Sequence, residues 1–139
     1  MSGEPAWLSE SILAAREKSP YKEDIVLLGR VSFDDLRALY QGARFFAFPS
    51  LYEGFGLPIL EAFASGTPVL TAANSSLVEV AGKAALYCHA ESVPDMAEKL
   101  ERLWDDEALR QHLVMSGEDQ LRKFSWEKCA EETLRYIQD

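Results

Sequence analysis

Two carboxylates flank a glycine-rich segment near the middle of the chain. Glu53 stands just before Gly54 and Gly56, and Glu61 follows it after seven intervening residues. Pro58 suits the first turn of a helix that begins after these glycines. Glycines at such a position let backbone N–H groups come close to a ligand, and the positive end of the helix dipole favours a diphosphate. The segment is therefore a candidate anion-binding site.

Each of these residues also has a purely structural interpretation. Glu61, predicted in the first helical turn, could complement the helix dipole and contribute about 0.3–1 kcal/mol. Glu53 could be a solvated loop carboxylate, and the two glycines could only shape a turn. A Gly-x-Gly before a helix is a weak signal, because the dinucleotide-binding fingerprint requires more glycines at fixed spacing. Spacing alone leaves both interpretations open.

The elements around this segment alternate between strand and helix. Helical periodicity starts at Trp7 and Leu8 and ends at Pro20, and a Ser32–Asp35 capping pattern opens a helix that Gly42 closes. Short apolar runs predict four strands, over residues 25–28, 44–48, 68–71 and 84–87. Helices are predicted over 58–66 and 77–81, and from residue 93 to the end with breaks near 105–106 and at Ser125.

This order predicts an α/β fold. We expect a partial Rossmann-like domain over residues 1–139, with a doubly wound, mainly parallel sheet of about four strands and helices on both faces. Ligands in such folds bind beyond the carboxyl ends of the strands. That rule directs attention to the segment between the second strand and the Pro58 helix.

Composition excludes several classes of function. A net charge of −9 argues against nucleic-acid binding, which needs a concentrated basic face. His89 and His112 stand apart from other ligating residues, so no metal site is predicted. Cys88 and Cys129 are expected to be reduced. With no membrane-spanning run and no signal-peptide pattern at the N-terminus, the sequence predicts a cytoplasmic protein.

A longer motif includes both carboxylates. Residues 49–62 read Pro-Ser-x-x-Glu-Gly-Phe-Gly-Leu-Pro-x-x-Glu-Ala, which resembles the E-x7-E signature of the retaining GT-B glycosyltransferases of family 4, the "group 1" transferases. Residues 28–40, 64–69, 76–80 and 124–127 resemble further segments of that family in the same order. Val78 stands where the family usually has proline. The resemblance covers nearly the whole chain and identifies it with the nucleotide-sugar-binding lobe of GT-B.

The resemblance implies a role for eight residues, all around a nucleotide-sugar donor linked to UDP or GDP. Glu53 and the backbone of Gly54, Phe55 and Gly56 would hold the sugar hydroxyls. Leu57 and the helix N-terminus would face the diphosphate. Glu61 would accept from the ribose hydroxyls, and Arg30 with Val31 would lie against the base, chiefly through backbone atoms. The family transfers the sugar with retention and needs no metal or other cofactor. Glu53 would position the sugar and stabilise charge.

Compared with the family, the chain begins late. The first strands of this lobe, the basic pair that clamps the diphosphate and the acceptor lobe would all lie upstream. We therefore expect no catalysis from the chain alone, and an acceptor, either a glycan or a lipid-linked sugar, that binds elsewhere. Exposed strand edges could recruit a partner chain or a second copy. The complete enzyme could act at the inner face of the membrane.

Two other classes of function remain. The chain could be a non-catalytic nucleotide-sugar-binding or regulatory module, which would bind the donor without transferring the sugar. An unrelated flavodoxin-like or receiver-type domain is disfavoured, since receiver chemistry needs an Asp cluster after the first strand and a Lys after the last.

Overall fold

A computed structural model describes residues 10–138. Within it the chain divides into two units at the boundary between Leu36 and Arg37, and each unit is treated by itself below. Trp7 and Leu8, which the sequence places in the first helix, lie outside the described residues.

Seven α-helices are described. They follow the predicted order, and α2 ends at the glycine that the sequence assigned to its end. A short 3-10 helix, Lys22–Asp24, lies between α1 and α2. The helices are α1 (Glu10–Lys18), α2 (Phe33–Gly42), α3 (Leu57–Ala64), α4 (Ser75–Ala81), α5 (Val93–Asp105), α6 (Glu107–Leu121) and α7 (Trp126–Gln138).

The sheet consists of three parallel strands in the described residues, in the order β1 (Phe46–Phe48), β2 (Val69–Ala72) and β3 (Ala85–Cys88). Phe46 is in register with Val69, and Leu70 is in register with Leu86. Helices α3 and α4 connect the strands, as parallel pairing requires. The predicted α/β fold with a parallel sheet is confirmed.

The predicted first strand is wrong. Residues 25–28 have no place in the sheet, which therefore has three strands where the sequence predicted about four. Leu27 and Leu28 are exposed, whereas every residue of β2 is buried. An apolar run is buried only where other elements cover its faces, and periodicity does not report that condition.

Both faces of the middle strand are covered. On one side Leu70 and Cys88 pack with Leu103 of α5 and Leu113 of α6. Helices α3 and α4 also contact β2, and their apolar residues Ile59, Phe63, Leu77 and Val80 are buried. Because all four β2 residues are buried, the sheet core must be filled from both sides. The prediction of helices on both faces is confirmed.

Side-chain caps define the starts of the last three helices. Ser92 and Asp106 accept the backbone N–H groups of Asp95 and Leu109 at 3.3 and 2.8 Å. Ser125, the predicted cap of the last helix, accepts from the Lys128 N–H at 3.1 Å. These bonds satisfy donors that a helix start otherwise leaves without partners.

The structure also describes the two cysteines and the lengths of the helices. Cys88 is buried and Cys129 is exposed, and both are free thiols, as expected. No helix among residues 10–138 is long and apolar enough to span a bilayer.

Candidate functional site

The candidate site lies in the connection from β1 to α3, residues 49–56, here called the β1–α3 loop. It begins directly after Phe48, the last residue of β1. Thr71 of β2 donates its hydroxyl to the Phe48 carbonyl at 2.9 Å, which fixes the point where the loop leaves the sheet. The loop thus starts at the carboxyl end of a parallel strand, the position where ligands bind in open α/β sheets.

Gly56 ends the loop and is the N-cap of α3. Its φ of 114° lies in the region that residues with a Cβ rarely adopt. A Cβ built there would stand 3.0 Å from Cδ2 of Leu77 in α4, so the backbone lies tightly against the neighbouring helix. Only glycine fits this position without strain, and it brings the start of α3 against α4.

The N-terminus of α3 has no side-chain cap. Its N-cap is a glycine, Pro58 has no N–H, and the first turn contains no acidic residue. Glu61 is the fifth residue of the helix and lies just past the first turn, which corrects its predicted place in that turn. The sequence misplaced Glu61 because it started the helix at Pro58, one residue late. The partial positive charge at this end is therefore not compensated by a side chain of the first turn, and it can attract an anion.

Glu61 is oriented by a buried tyrosine. The Tyr40 hydroxyl of α2 donates to Oε2 of Glu61 at 3.1 Å. Tyr40 is only 8% exposed, its ring packs edge-on against Phe46 with centroids 5.1 Å apart, and its backbone carbonyl accepts from the Thr67 hydroxyl at 2.7 Å. Held from three sides, Tyr40 fixes one oxygen of the carboxylate. Within residues 10–138 the other oxygen, Oε1, has no hydrogen-bond partner and can accept from a ligand.

Burial and the neighbouring carboxylate also determine the protonation state of Tyr40. Its pKa is raised well above the ordinary value, first by burial and then by the negative charge of Glu61 and the hydrogen bond to it. The phenol therefore keeps its proton at neutral pH and remains a donor to Glu61.

Glu53 is held through its backbone. Its N–H donates to Oγ of Ser75 at 3.2 Å, and its carbonyl accepts from the hydroxyls of Ser75 and Ser76 at 2.7 and 2.9 Å. Both serines begin α4. The Glu53 carboxylate is partly exposed and forms no hydrogen bond or ion pair with any residue that the structure describes. The backbone is fixed while the charged group stays available.

Two other contacts fix the rest of the loop. Asn74 donates its side-chain N–H to the Ser50 carbonyl at 3.1 Å. The ring of Phe55 meets that of Phe124, just before α7, at 6.0 Å and nearly at right angles. Phe55 thus uses its side chain for packing, and the predicted contact of its backbone with a ligand stays a prediction.

Four predicted site residues remain. Gly54 is exposed in the β1–α3 loop, and Leu57, the first residue of α3, is also exposed. Arg30 is exposed and Val31 is half-buried, and both belong to the unit that ends at Leu36. Their predicted position against the base of a nucleotide stays a prediction.

Sequence reasoning missed the residues that hold the two carboxylates. Tyr40 lies within a segment that resembled the family, but no function was assigned to it, although a buried tyrosine hydroxyl needs a partner. Ser75 lies outside the quoted motifs, and the helix was predicted to begin only at Leu77. The Asn74-Ser75-Ser76 run is typical of a helix start and could have indicated an earlier boundary.

The surface around the loop is open. Leu51, Tyr52 and Phe55 are exposed, and a depression of about 620 Å³ lies elsewhere, between α4 and α6 around Gln120. The polar groups of Gln120 in this depression are already used within the fold, because its amide donates to the Val80 carbonyl of α4 and accepts from Lys123. Among the described residues no three His, Cys, Asp or Glu side chains form a potential metal site.

Comparison with known proteins shows the family of the chain. The family model described as glycosyl transferases group 1 matches residues 2–106. The chain is 37% identical over 134 residues to O-antigen chain mannosyltransferase B of Escherichia coli, covering 96% of this chain and 35% of that relative. It is 43% identical over 98 residues to a D-inositol 3-phosphate glycosyltransferase of Corynebacterium aurimucosum, covering 69% of this chain and 23% of the relative.

Solved structures show the same fold. Sucrose-phosphate synthase from Thermosynechococcus elongatus superposes with a TM-score of 0.82 at 25% identity, over 91% of this chain and 33% of that protein. WaaG, a glycosyltransferase involved in lipopolysaccharide biosynthesis, gives a TM-score of 0.78 at 19% identity, over 95% of this chain and 35% of WaaG. These structural neighbours are GT-B glycosyltransferases. The chain spans about a third of each of these two structures and of the mannosyltransferase. By sequence and by fold, it belongs to the glycosyl transferases group 1 family.

Proposed function

We propose that the β1–α3 loop and the start of α3 bind a nucleotide-diphosphate sugar, as the donor-binding part of a retaining glycosyltransferase. The observation that carries the proposal is the arrangement at the start of α3. An uncapped helix N-terminus lies between two carboxylates, Glu53 and Glu61, that are held in place and still have oxygens free to accept from ligand hydroxyls. This combination suits a ligand with an anionic centre and a hydroxyl-bearing ring on each side of it.

Each part of the donor has a partner in this proposal. The diphosphate lies at the N-terminus of α3, near Leu57, where the helix dipole stabilises the charge that develops on the leaving group. Oε1 of Glu61 accepts from a ribose hydroxyl. Glu53 accepts from hydroxyls of the sugar and stabilises charge at the anomeric carbon during a transfer with retention. The contact of Arg30 and Val31 with the base stays a prediction from the family resemblance, and no metal or other cofactor is proposed.

The transferred sugar is proposed to be mannose. Several relatives, each 35–37% identical to this chain, are named mannosyltransferases, and we propose the same sugar for this chain. The base of the donor is left as guanine or uracil. A glycan or a lipid-linked sugar is proposed as acceptor. The cytoplasmic location predicted from the sequence stays a prediction.

Binding of the donor can be measured directly by titration calorimetry on the full 139-residue chain with GDP, UDP, GDP-mannose and UDP-glucose. One nucleotide and its sugar conjugate should bind. Glu61→Gln should then weaken binding of both about tenfold, because a hydrogen bond to a charged acceptor contributes roughly 1.5–3 kcal/mol. The matched control is Glu118→Gln, which changes an exposed glutamate on α6.

The outcomes separate clearly. If Glu61→Gln and Glu118→Gln both bind as the unsubstituted chain does, Glu61 does not contact the ribose. If no nucleotide binds to a folded chain, the chain is not a donor-binding unit.

Transfer is a separate question from binding. A chimaera would join this chain to the part of O-antigen chain mannosyltransferase B that it does not match. Mannose transfer by the chimaera, lost in its Glu53→Gln variant, would support an enzyme. Donor binding without transfer would favour the alternative, a non-catalytic binding module.

A further inference from the structure

We infer that Ser75 and Ser76 are positioning residues that aim the Glu53 carboxylate at the sugar half of the donor. The inference rests on the proposed donor site and adds to it the part of α4 that controls it. Neither serine is assigned a ligand contact in that proposal, and both use their hydroxyls on the backbone of the β1–α3 loop.

The two serines form a three-bond clamp on one residue. Ser75 accepts from the Glu53 N–H at 3.2 Å and donates to the Glu53 carbonyl at 2.7 Å, while Ser76 donates to the same carbonyl at 2.9 Å. A hydroxyl can donate one hydrogen bond and accept others, so Ser75 uses both capacities on the two polar backbone atoms of Glu53. This fixes the two peptide planes that determine the direction in which the Glu53 side chain leaves the backbone.

The clamp is maintained in spite of local costs. Ser75 has a φ of 49°, in the left-handed region, and is the only residue other than glycine with a positive φ in the part of the chain that the structure describes. Next to it, Oδ1 of Asn74 is buried and has no hydrogen-bond partner there. A glycine would adopt this backbone more easily, but it has no hydroxyl. Unfavourable conformations concentrate where function requires a particular geometry.

Before Gly56, the other contacts of the β1–α3 loop among residues 10–138 are made by Ser50, Tyr52 and Phe55, and none of them reaches the backbone N–H or carbonyl of Glu53. Gly54 is exposed, and a Cβ built on it would meet no atom within 4 Å. The opposite end of the loop is held differently, by the packing of Gly56 against Leu77 and by the contact of Tyr40 with Glu61. The clamp therefore controls the sugar end of the site, while the diphosphate and ribose end is positioned without it.

This division gives a readout that a general loss of structure would not produce. The quantity to measure is the ratio of the dissociation constants of the nucleoside diphosphate and its sugar conjugate, by calorimetry on the full chain. For the nucleotide that the unsubstituted chain binds, we use GDP with GDP-mannose or UDP with UDP-glucose. In the variant Ser75→Ala/Ser76→Ala the sugar conjugate should lose about tenfold in affinity, whereas the nucleoside diphosphate should change less than twofold.

Three further variants make the test specific. Ser92→Ala removes a serine that caps α5 and should leave the ratio unchanged. Ser76→Ala substitutes a good helix former inside α4 and should fold even if the double variant does not, with part of the loss. Ser75→Gly removes the hydroxyl and relieves the backbone strain. Its ratio of dissociation constants should change as much as that of a single Ser75→Ala variant, because the hydroxyl holds the Glu53 backbone.

The results that overturn the inference are distinct from those that overturn the donor site. A ratio that stays unchanged in the serine variants, equal losses for both ligands, or a normal ratio in Ser75→Gly each reject the clamp while leaving donor binding intact. If the unsubstituted chain binds neither ligand, the donor site is rejected and the clamp with it.

Discussion

Two segments of the chain differ in how their apolar residues are packed. Residues 25–31 lie outside the sheet, and Leu27 and Leu28 are exposed. Residues 46–61 run from a strand through a glycine-dependent turn into a helix whose apolar side is buried. Local sequence patterns predicted regular structure in both places. The first has an apolar run followed by glycine, and the second has a strand, glycines and a helix.

The difference shows what a local pattern leaves out. An apolar run predicts burial, but burial requires other elements to cover it. At β2 the neighbouring strands and helices do so, since all of its residues are buried. At α3 the residues Ile59 and Phe63 are covered in the same way, which fixes the start of the helix and hence the candidate site. The start of α3, and with it the candidate site, is therefore anchored on the core.

The largest effect that tests this comparison is on stability. Ile59→Ala should lower the free energy of unfolding by about 2–5 kcal/mol, because Ile59 is 0% exposed and the substitution leaves a cavity. Leu28→Ala should change it by about 0.5 kcal/mol, because Leu28 is 41% exposed. Urea denaturation measures both. Similar losses in the two variants would mean that residues 25–28 are packed as tightly as α3.

A smaller effect concerns the turn before α3. Gly56→Ala should destabilise the chain by about 1–3 kcal/mol, since its φ of 114° disfavours a Cβ and the new carbon would press on Leu77. The matched control is Gly54→Ala, where a Cβ has open space, with an expected change within about 0.5 kcal/mol. The urea midpoint at unchanged slope distinguishes them. If Gly54→Ala is the more harmful, the turn is not held as described.

The smallest effect is the pH dependence that Tyr40 introduces. An unfolded tyrosine loses its proton near pH 10, whereas folded Tyr40 keeps it, so above about pH 10 the unfolded state binds fewer protons. The free energy of unfolding should therefore fall as the pH rises, by up to about 1.4 kcal/mol per unit. Below pH 10 the contribution of the Tyr40–Glu61 contact is fully present.

The variant Tyr40→Phe isolates the contribution of Tyr40 to this pH dependence. It should cost about 0.5–1.5 kcal/mol at neutral pH through loss of the hydrogen bond to Glu61, and it should flatten the alkaline fall in stability. Tyr136→Phe, at an exposed position on α7, is the control and should change neither. Tyr87, whose pKa burial also raises, contributes equally to both variants. An alkaline fall that is unchanged in Tyr40→Phe would show that Tyr40 is not the group responsible.

Much of the fold could be predicted from the sequence because its signals are local. Gly42 ended α2, Ser125 capped α7, and short apolar runs located the three strands of the sheet to within about two residues. The β1–α3 loop was found in the same way, since Gly56 and Pro58 mark the start of a helix without reference to the rest of the chain.

What the sequence could not supply depends on contacts distant along the chain. Tyr40 and Glu61 are 21 residues apart, and Ser75 lies 22 residues from Glu53. No periodicity within a window of ten to eighteen residues reports such pairs. The exposure of Leu27 and Leu28 could not be predicted for the same reason, because burial of an apolar run depends on elements that the local pattern does not identify.

The central claim, that the start of α3 binds a nucleotide sugar, is tested most directly by a two-dimensional amide NMR spectrum of the full chain. The spectrum would be recorded while GDP, UDP and their sugar conjugates are added in turn. We expect dispersed peaks, with the amides of Gly54, Gly56 and Glu61 shifting for one nucleotide and Glu53 shifting further with its sugar conjugate. A well-dispersed spectrum in which these amides do not respond to any of the four compounds would contradict the claim.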